Sequence, residues 1–412
     1  MDSFEAALAN ATDPSNRTLL GAVCLVVDKT GNVLYQKSAG QQSLESSSPQ
    51  VDLDSTITLG SAGKFITHIA ALQCVQRKDI GLDDSVSRWI PELDSLPVIE
   101  PSTDTEEGFI LRPQTCKITL RHLLTHASGI GGGDEPLVER WRASPAGAAH
   151  EAANADAHAI IKLFTHPLLF QPGEGYCYGS SIYFTMLLVS RLTGQPFGEY
   201  AQTNIFTPLG MTASTVNPQT RPDVLHKVMQ KVKRTPTGLE DLGEETRDVT
   251  VSVRDLGTLL ADLIAPASKI LDPELVDSLF APQLAEGSKA LADLKGMKEG
   301  VEYELDLRLP GVVEVDGVPT LPVWDLEGKG LDLNWTLAAL LVQGKHGLPL
   351  GMPEGTLTWN GMPNVVWAMH RQAGVGIVFA TQLVPVDDEK VVHLMMEFFK
   401  GAWATYGKQS TL

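Results

Sequence analysis

The sequence predicts an α+β fold, with a central antiparallel sheet built from both ends of the chain and a large, mostly helical region inserted between them. Three observations carry this. A β-hairpin pattern stands near the start, a second stands near the end and runs into an amphipathic helix, and the residues between carry apolar side chains at helical spacing. Two independent domains would leave each hairpin on its own, and an isolated two-stranded ribbon is barely stable in water. The expected organisation is a single domain over 1–412, with an α/β part from about 1–64 and 350–412 and a mainly helical insertion over about 65–349.

Taken in order, a short polar segment leads to Leu19. Ala22-Val23-Cys24-Leu25-Val26-Val27 is apolar and rich in β-branched residues, as in a strand buried on both faces. Asp28-Lys29-Thr30-Gly31 supplies turn chemistry, and residues 32–37 return as the second strand. Residues 65–78, 120–125, 182–192 and 251–264 carry helical apolar spacing, separated by proline, glycine and acidic clusters. Residues 96–112 read as a polar loop, and 284–330 as loops and short strands near the rim of a site. At the far end 364–370 reads as a strand, Arg371-Gln372-Ala373-Gly374 as a turn and 375–381 as another strand. Residues 387–406 close the chain as a helix with Val391, Leu394, Met395, Phe398 and Trp403 on its apolar side.

Composition narrows the function classes. Acidic residues outnumber basic ones by 50 to 32, for a formal charge of −18, and protonating all ten histidines still leaves −8. Such a surface repels phosphate backbones and anionic lipid, so neither nucleic acid nor membrane is an expected partner. The longest notable apolar run, residues 335–342, is far short of a membrane span. Met1-Asp2-Ser3-Phe4-Glu5 has no basic residues and no apolar stretch behind it, so no secretory leader is expected and the cytoplasm is the expected location. Cys24, Cys74, Cys116 and Cys177 lie far apart and form no disulfide framework; Cys24 and Cys74 sit in apolar runs as buried free thiols.

The chemistry concentrates in three segments. In Thr58-Leu59-Gly60-Ser61-Ala62-Gly63-Lys64-Phe65 a strand ends in small residues and a helix begins at the serine. Ser61 and Lys64, three apart, share a helix face at roughly 5 Å along the axis. A serine hydroxyl is a weak nucleophile until a base takes its proton, and desolvation helps a lysine give up its own. The helix N-terminus adds N–H groups aimed at developing negative charge. The bland alternative is an N-cap serine with an exposed lysine. The second segment, Gln171-Pro172-Gly173-Glu174-Gly175-Tyr176-Cys177-Tyr178-Gly179-Ser180-Ser181, places Tyr178 on a tight loop before a helix, where a phenol beside a lysine can shuttle a proton; a buried loop-capping tyrosine is the alternative. The third, Thr356-Leu357-Thr358-Trp359-Asn360-Gly361-Met362-Pro363-Asn364, puts a glycine where a strand can approach a ligand and lend backbone N–H groups, or simply bulge.

His68 lies four after Lys64 and could share a face with Ser61, but its side chain points two turns into the core. His122 and His126 stand i, i+4 with no acidic third ligand, so structural hydrogen bonding is expected and no metal or other cofactor is.

Ser-x-x-Lys, then the tyrosine about a hundred residues on, then aromatic-x-Gly near the end, resembles the serine β-lactamase and penicillin-binding superfamily, and most of all its class C-like esterases and fungal lovastatin-type acyltransferases. Ile118-Thr119-Leu120-Arg121-His122-Leu123-Leu124-Thr125-His126-Ala127-Ser128-Gly129 is similar to that family's "LRHLLTHTSG" segment, and Gly361-Met362-Pro363-Asn364-Val365-Val366-Trp367 to the transferases' "GGPNIVW". Asp83-Asp84-Ser85-Val86 with Pro91, and Phe206-Thr207-Pro208-Leu209-Gly210-Met211, fit the same order. The resemblance spans about 21–406. It implies a β-lactamase-like fold whose sheet is flanked by N- and C-terminal helices. It implies Ser61 as nucleophile, Lys64 as its base partner, Tyr178 as second acid/base, and oxyanion donors from the backbone of Ser61 and Met362. Two departures stand out: Ser180 replaces the usual asparagine two after the tyrosine, and Trp359-Asn360-Gly361 replaces the Lys-Thr-Gly of penicillin-interacting members. An aromatic at 359 suits esters and neutral acyl chains better than a carboxylate. Substrate contacts are expected from Trp359, Asn360, Gly361 and Gly131, with the pocket lined by 130–141, the stretch before Tyr178 and 328–350. Gly131-Gly132-Gly133 suggests a mobile rim or a plain linker.

Three functions follow: an acyltransferase passing an acyl group from a thioester or ester to a hydroxyl of a small metabolite, in secondary metabolism; a carboxylesterase working through the same acyl-enzyme; and an inert scaffold of the same fold. The intact Ser61, Lys64, Tyr178 set weighs against the third. The Gly361–Trp367 likeness and the missing leader tip the balance to transfer. The expected partners are a small acyl donor and an alcohol acceptor, with an acyl-carrier protein or polyketide synthase as a possible source of the donor.

Overall fold

The computed structural model describes residues 1–296, 313–315, 318–320, 332–344, 350–385 and 388–407. The elements that frame the site are, in chain order, helix α1 (Asp2–Ala11), strands β1 (Gly21–Asp28), β2 (Val33–Gly40) and β3 (Thr56–Thr58), helices α2 (Lys64–Gln76), α3 (Leu120–Leu124) and α4 (Ser181–Thr193), strand β4 (Thr250–Ser252), helix α5 (Val253–Ile264), strands β5 (Leu333–Trp335), β6 (Leu340–Val342), β7 (Leu357–Gly361), β8 (Val365–His370) and β9 (Val375–Thr381), and helix α6 (Glu389–Tyr406).

Among the described residues, seven strands make one antiparallel sheet in the order β5-β6-β7-β8-β9-β1-β2. The two predicted hairpins, β1–β2 and β8–β9, join at the centre, where β1 pairs with β9 from Ala22 opposite Thr381 to Asp28 opposite Val375. Every residue of β8 and β9 is buried, as are the first seven of β1, which accounts for their unbroken apolar sequence. Helix α5 covers one face. The other lies under α6, whose Phe398 stands 6.2 Å from Phe379 and 5.2 Å from Phe4 of α1. Leu25 packs toward Gly257 of α5, whereas its neighbour Cys24 pairs with Phe379 on the α6 side, as strand alternation requires.

The polar N-terminal segment is the N-terminal helix that the resemblance implies, formed because Phe4, Leu8 and Ala11 recur at helical spacing and bury one stripe among the charges. Three sequence readings change. Residues 96–112 contain paired strands, Val98–Pro101 with Phe109–Arg112, held by a satellite core of Ile99, Phe109 and Trp141. Val251 and Ser252 belong to β4, paired with β3, and the helix starts two residues later, where the Ser252 hydroxyl accepts from the Asp255 amide. Within 284–330, Lys289–Lys295 is a helix capped by Ser288, and Val313–Val315 pairs with Val318–Thr320; the rest of that stretch from 297 on lies outside the described residues, as do 328–331 and 345–349 of the expected pocket lining. Cys24 and Cys74 are buried free thiols, as the apolar surroundings predict.

Candidate active site

The serine turn is anchored on every side. Strand β3 pairs with β4, and the Leu59 amide donates to Val249 O at 2.9 Å. The buried side chain of Gln382 takes both backbone groups of Thr58, accepting from its N–H at 3.1 Å and donating to its carbonyl at 3.2 Å. Gly60–Gly63 then forms a tight 3₁₀ turn, and α2 begins at Lys64, three residues later than a helix started by the serine. From the sheet, Trp367 Nε1 donates to Ala62 O at 3.2 Å and its ring packs on Phe65 at 4.5 Å. The outcome is a direct contact: Lys64 Nζ donates to Ser61 Oγ at 2.8 Å.

Two glycines bring the end of β7 against this turn. Gly60 adopts φ +53°, and a Cβ there would lie 2.2 Å from Met362 O and 3.2 Å from Met362 N. A Cβ on Gly361 would lie 2.0 Å from Leu59 O and 3.0 Å from Ser61 N. Side chains cannot occupy those spaces, so the two backbones touch only because both residues are glycine. The contact brings the backbone of the serine turn close to that of Gly361 and Met362. The Met362 side chain is 47% exposed at the mouth.

Tyr178 sits on a loop clamped to the 126–131 segment. Gly173 N donates to Ala127 O at 2.7 Å, Cys177 N to His126 O at 2.9 Å and Ser180 N to Gly131 O at 3.1 Å. Gly131 lies against Gly179, where a Cβ would come within 2.7 Å of its carbonyl carbon, so it backs the tyrosine loop. The triple glycine is tied down: the buried Glu135 carboxylate accepts from the amides of Gly132 and Gly133 at 2.6 and 2.9 Å, and Arg142 donates to Gly133 O. Tyr178 itself accepts a hydrogen bond from Trp359 Nε1 at 3.1 Å, and Lys64 Nζ stands 4.8 Å from its ring centre. Trp359 is buried on β7, packed edge-on to Trp335 at 4.6 Å; its neighbour Asn360 is buried as well. Ser180, at the head of α4, makes no side-chain cap.

The charge on Lys64 runs against the expectation from burial. Desolvation pushes its pKa down, but the charge and hydrogen bond of Tyr178, with weaker help from Tyr183 and Asp248, outweigh it and hold the pKa above the usual lysine value. His68 is fully buried; its Nδ1 meets Ala338 O at 2.8 Å, and burial brings its pKa to about 4 despite that bond. His126 is likewise held well below the usual histidine value, by burial, by His68 and by Lys64. His122 caps α3 through Thr119. The i, i+4 histidines thus have separate structural places, and the described residues hold no group of three or more His, Cys, Asp and Glu able to bind a metal. Trp335 and Gln382 support the site without having been singled out from sequence, and an indole within an apolar run was the available signal for Trp335; Trp367 entered only as the end of the 361–367 motif.

The sequence profile described as β-lactamase matches residues 8–397. The chain is 28% identical to acyltransferase calJ of Penicillium decumbens, covering 98% of this chain and 99% of that protein. It is 31% identical to the lovastatin esterase of Penicillium rubens, with 94% of each covered. The solved structure of simvastatin synthase (LovD) from Aspergillus terreus superposes with a TM-score of 0.82 at 27% identity, covering 98% of both chains.

Proposed function

The chain belongs to the β-lactamase family, and from that premise we propose that it is a serine acyltransferase, in which Ser61 takes an acyl group from a thioester or ester and passes it to a hydroxyl of a small metabolite in secondary metabolism. The observation that carries the reading is the Lys64–Ser61 hydrogen bond of 2.8 Å beside a tyrosine whose oxygen accepts from Trp359. Lys64, within hydrogen-bond reach of the hydroxyl, is the base partner of Ser61. The Lys64–Tyr178 pair takes the proton of Ser61, Lys64 from 2.8 Å and Tyr178 as the second acid/base beside it. Oγ attacks the acyl carbonyl, and the oxyanion accepts from the amides of Ser61 and Met362. Tyr178 returns the proton to the departing thiol or alcohol. In the second half it takes the proton of the incoming hydroxyl, which attacks the acyl carbon and frees Ser61.

The acyl chain lies along Trp359, Asn360 and Gly361, with Gly131 shaping the wall through Gly179. Apolar surface at 359 in place of a cation favours neutral acyl groups. The chain works as one catalytic domain, since the site takes Ser61, Lys64 and Trp359 to Met362 from the α/β part and Tyr178 from the insertion. The donor is delivered free or on an acyl-carrier protein or polyketide synthase, in the cytoplasm. Among the described residues no helix is long and apolar enough to cross a membrane.

Esterase action is the second reading, favoured by the 31% identity to a lovastatin esterase. The two differ in whether water, at about 55 M, outcompetes an acceptor held with an effective molarity of 10⁵ M or more. Donor consumption measured with and without a library of polycyclic alcohols separates them. Transfer predicts slow consumption alone and strong acceleration with a suitable alcohol. Fast hydrolysis that no alcohol diverts makes the protein an esterase.

A further inference from the structure

Behind Tyr178 lies a group of polar side chains that the proton-transfer scheme does not use. His68, His126 and Tyr176 are at most 6% exposed. His68 Nε2, both ring nitrogens of His126 and the Tyr176 hydroxyl have no hydrogen-bond partner among the described residues. The ring centres of His68 and His126 stand 6.2 Å apart, those of His126 and Tyr176 5.9 Å, and the His126 ring lies 4.6 Å from Tyr178. Trp335 closes the cluster, 5.1 Å from His126 and 5.7 Å from Tyr176, with its own N–H committed to Leu124 O.

Buried polar atoms are rarely left without partners, and four of them on three neighbouring side chains point to a shared one. Water fits. It bonds donors and acceptors alike, it needs two to four polar partners, and two hydrogen bonds of about 2.8 Å each let one molecule bridge groups whose rings stand this far apart. Direct pairing does not account for the set, because His68 already gives Nδ1 to Ala338 O and presents Nε2 as an acceptor. The backbone at His126 is part of the arrangement: its φ of +56° is uncommon outside glycine, and its carbonyl accepts the Cys177 amide that fixes the start of the tyrosine loop.

We propose that His68, His126 and Tyr176 enclose an internal water site that backs Tyr178, and that His126 and Tyr176 are positioning residues for proton transfer at that tyrosine. The hydrated cluster presents oriented dipoles to the buried face of Tyr178, opposite in kind to the apolar packing that Trp335 and Trp359 supply, and holds the ring where Trp359 Nε1 and Lys64 Nζ both reach it. This rests on the assignment of Tyr178 as proton acceptor.

Tyr176→Phe tests it, because it deletes one hydroxyl and leaves the ring contacts in place. A hydroxyl that bonds nothing is a liability in a core, so its removal raises or preserves the melting temperature. The proposal predicts the reverse: a lower melting temperature, and kcat reduced about tenfold with KM within twofold of the parent. His126→Asn, which tolerates positive φ and keeps both a donor and an acceptor, is expected to retain more of kcat than His126→Leu. A Tyr176→Phe protein that melts at or above the parent temperature and turns over at the parent rate overturns the proposal, as does a His126→Leu variant as active as His126→Asn. The melting temperature reads the water site without reference to activity, so it stands apart from a failure of the Ser61 acyl-enzyme itself, which is read by mass.

Discussion

At the scale of single residues, the site turns on which group holds which proton. Lys64 stands 2.8 Å from Ser61 Oγ and 4.8 Å from the Tyr178 ring centre, and burial pulls its pKa down while Tyr178 pulls it up. The sequence exposed the Ser61–Lys64 spacing but not this balance, since the opposing group arrives from 114 positions later in the chain. One proton moving among three groups predicts non-additivity. Lys64→Ala and Tyr178→Phe are each expected to lower turnover by about 10³-fold or more, and the double variant to be no more than a few-fold worse than the poorer single one. Steady-state rates of the three proteins decide it. Losses that multiply mean that the two residues act independently.

At the scale of elements, the decisive contact is between the serine turn and the end of β7. Gly361→Ala places a methyl 2.0 Å from Leu59 O, a backbone atom that cannot swing aside. The turn and strand must part, and the Ser61 and Met362 amides separate with them. Loss of one such donor costs about 10²–10³-fold, so acyl-enzyme formation is expected to slow by at least that much, measured by single-turnover mass change on protein that still melts cooperatively. Acylation at the parent rate in that variant means that the two amides do not act together. Elements with strong local patterns were legible in the sequence: β1 and β9 as apolar runs buried on both faces, α2 and α4 as apolar periodicities, and the closing helix α6. Those whose stability comes from distant partners were not. The strands at 98–101 and 109–112 exist because Trp141 covers them, and β5 and β6 are three residues each, too short for any periodicity. For the site, motif order exposed Ser61, Lys64 and Tyr178. The Trp359–Tyr178 bond and the histidine cluster exist only once the sheet edge meets the helical layer.

At the scale of the whole molecule, the fold commits buried histidines to their neutral form. The folded-state pKa of His68 is about 4, below the ordinary value of 6.5, so between those two pH values the unfolded chain takes up a proton that the folded chain refuses. Stability contributed by keeping His68 neutral is complete above about pH 6.5 and is lost as pH falls toward 4. For His68 alone the loss between pH 7 and pH 5 is about 2 kcal/mol. Urea unfolding at the two pH values is expected to show a drop of at least this size in the parent, and one smaller by about 2 kcal/mol in His68→Leu, whatever that variant's stability at pH 7. An identical drop in both proteins means that His68 is protonated in the fold.

The most direct test of the account is the mass of the protein after it meets a donor. Incubated with a panel of acyl thioesters and quenched in acid, the parent is expected to gain one acyl group, located by peptide mapping on Ser61, and to lose it again when an acceptor alcohol is added. Ser61→Ala, a substitution that suits a helical turn and barely changes volume, is expected to keep the fold and gain no mass. An acyl adduct that persists in Ser61→Ala, or that maps to another residue in the parent, contradicts the account.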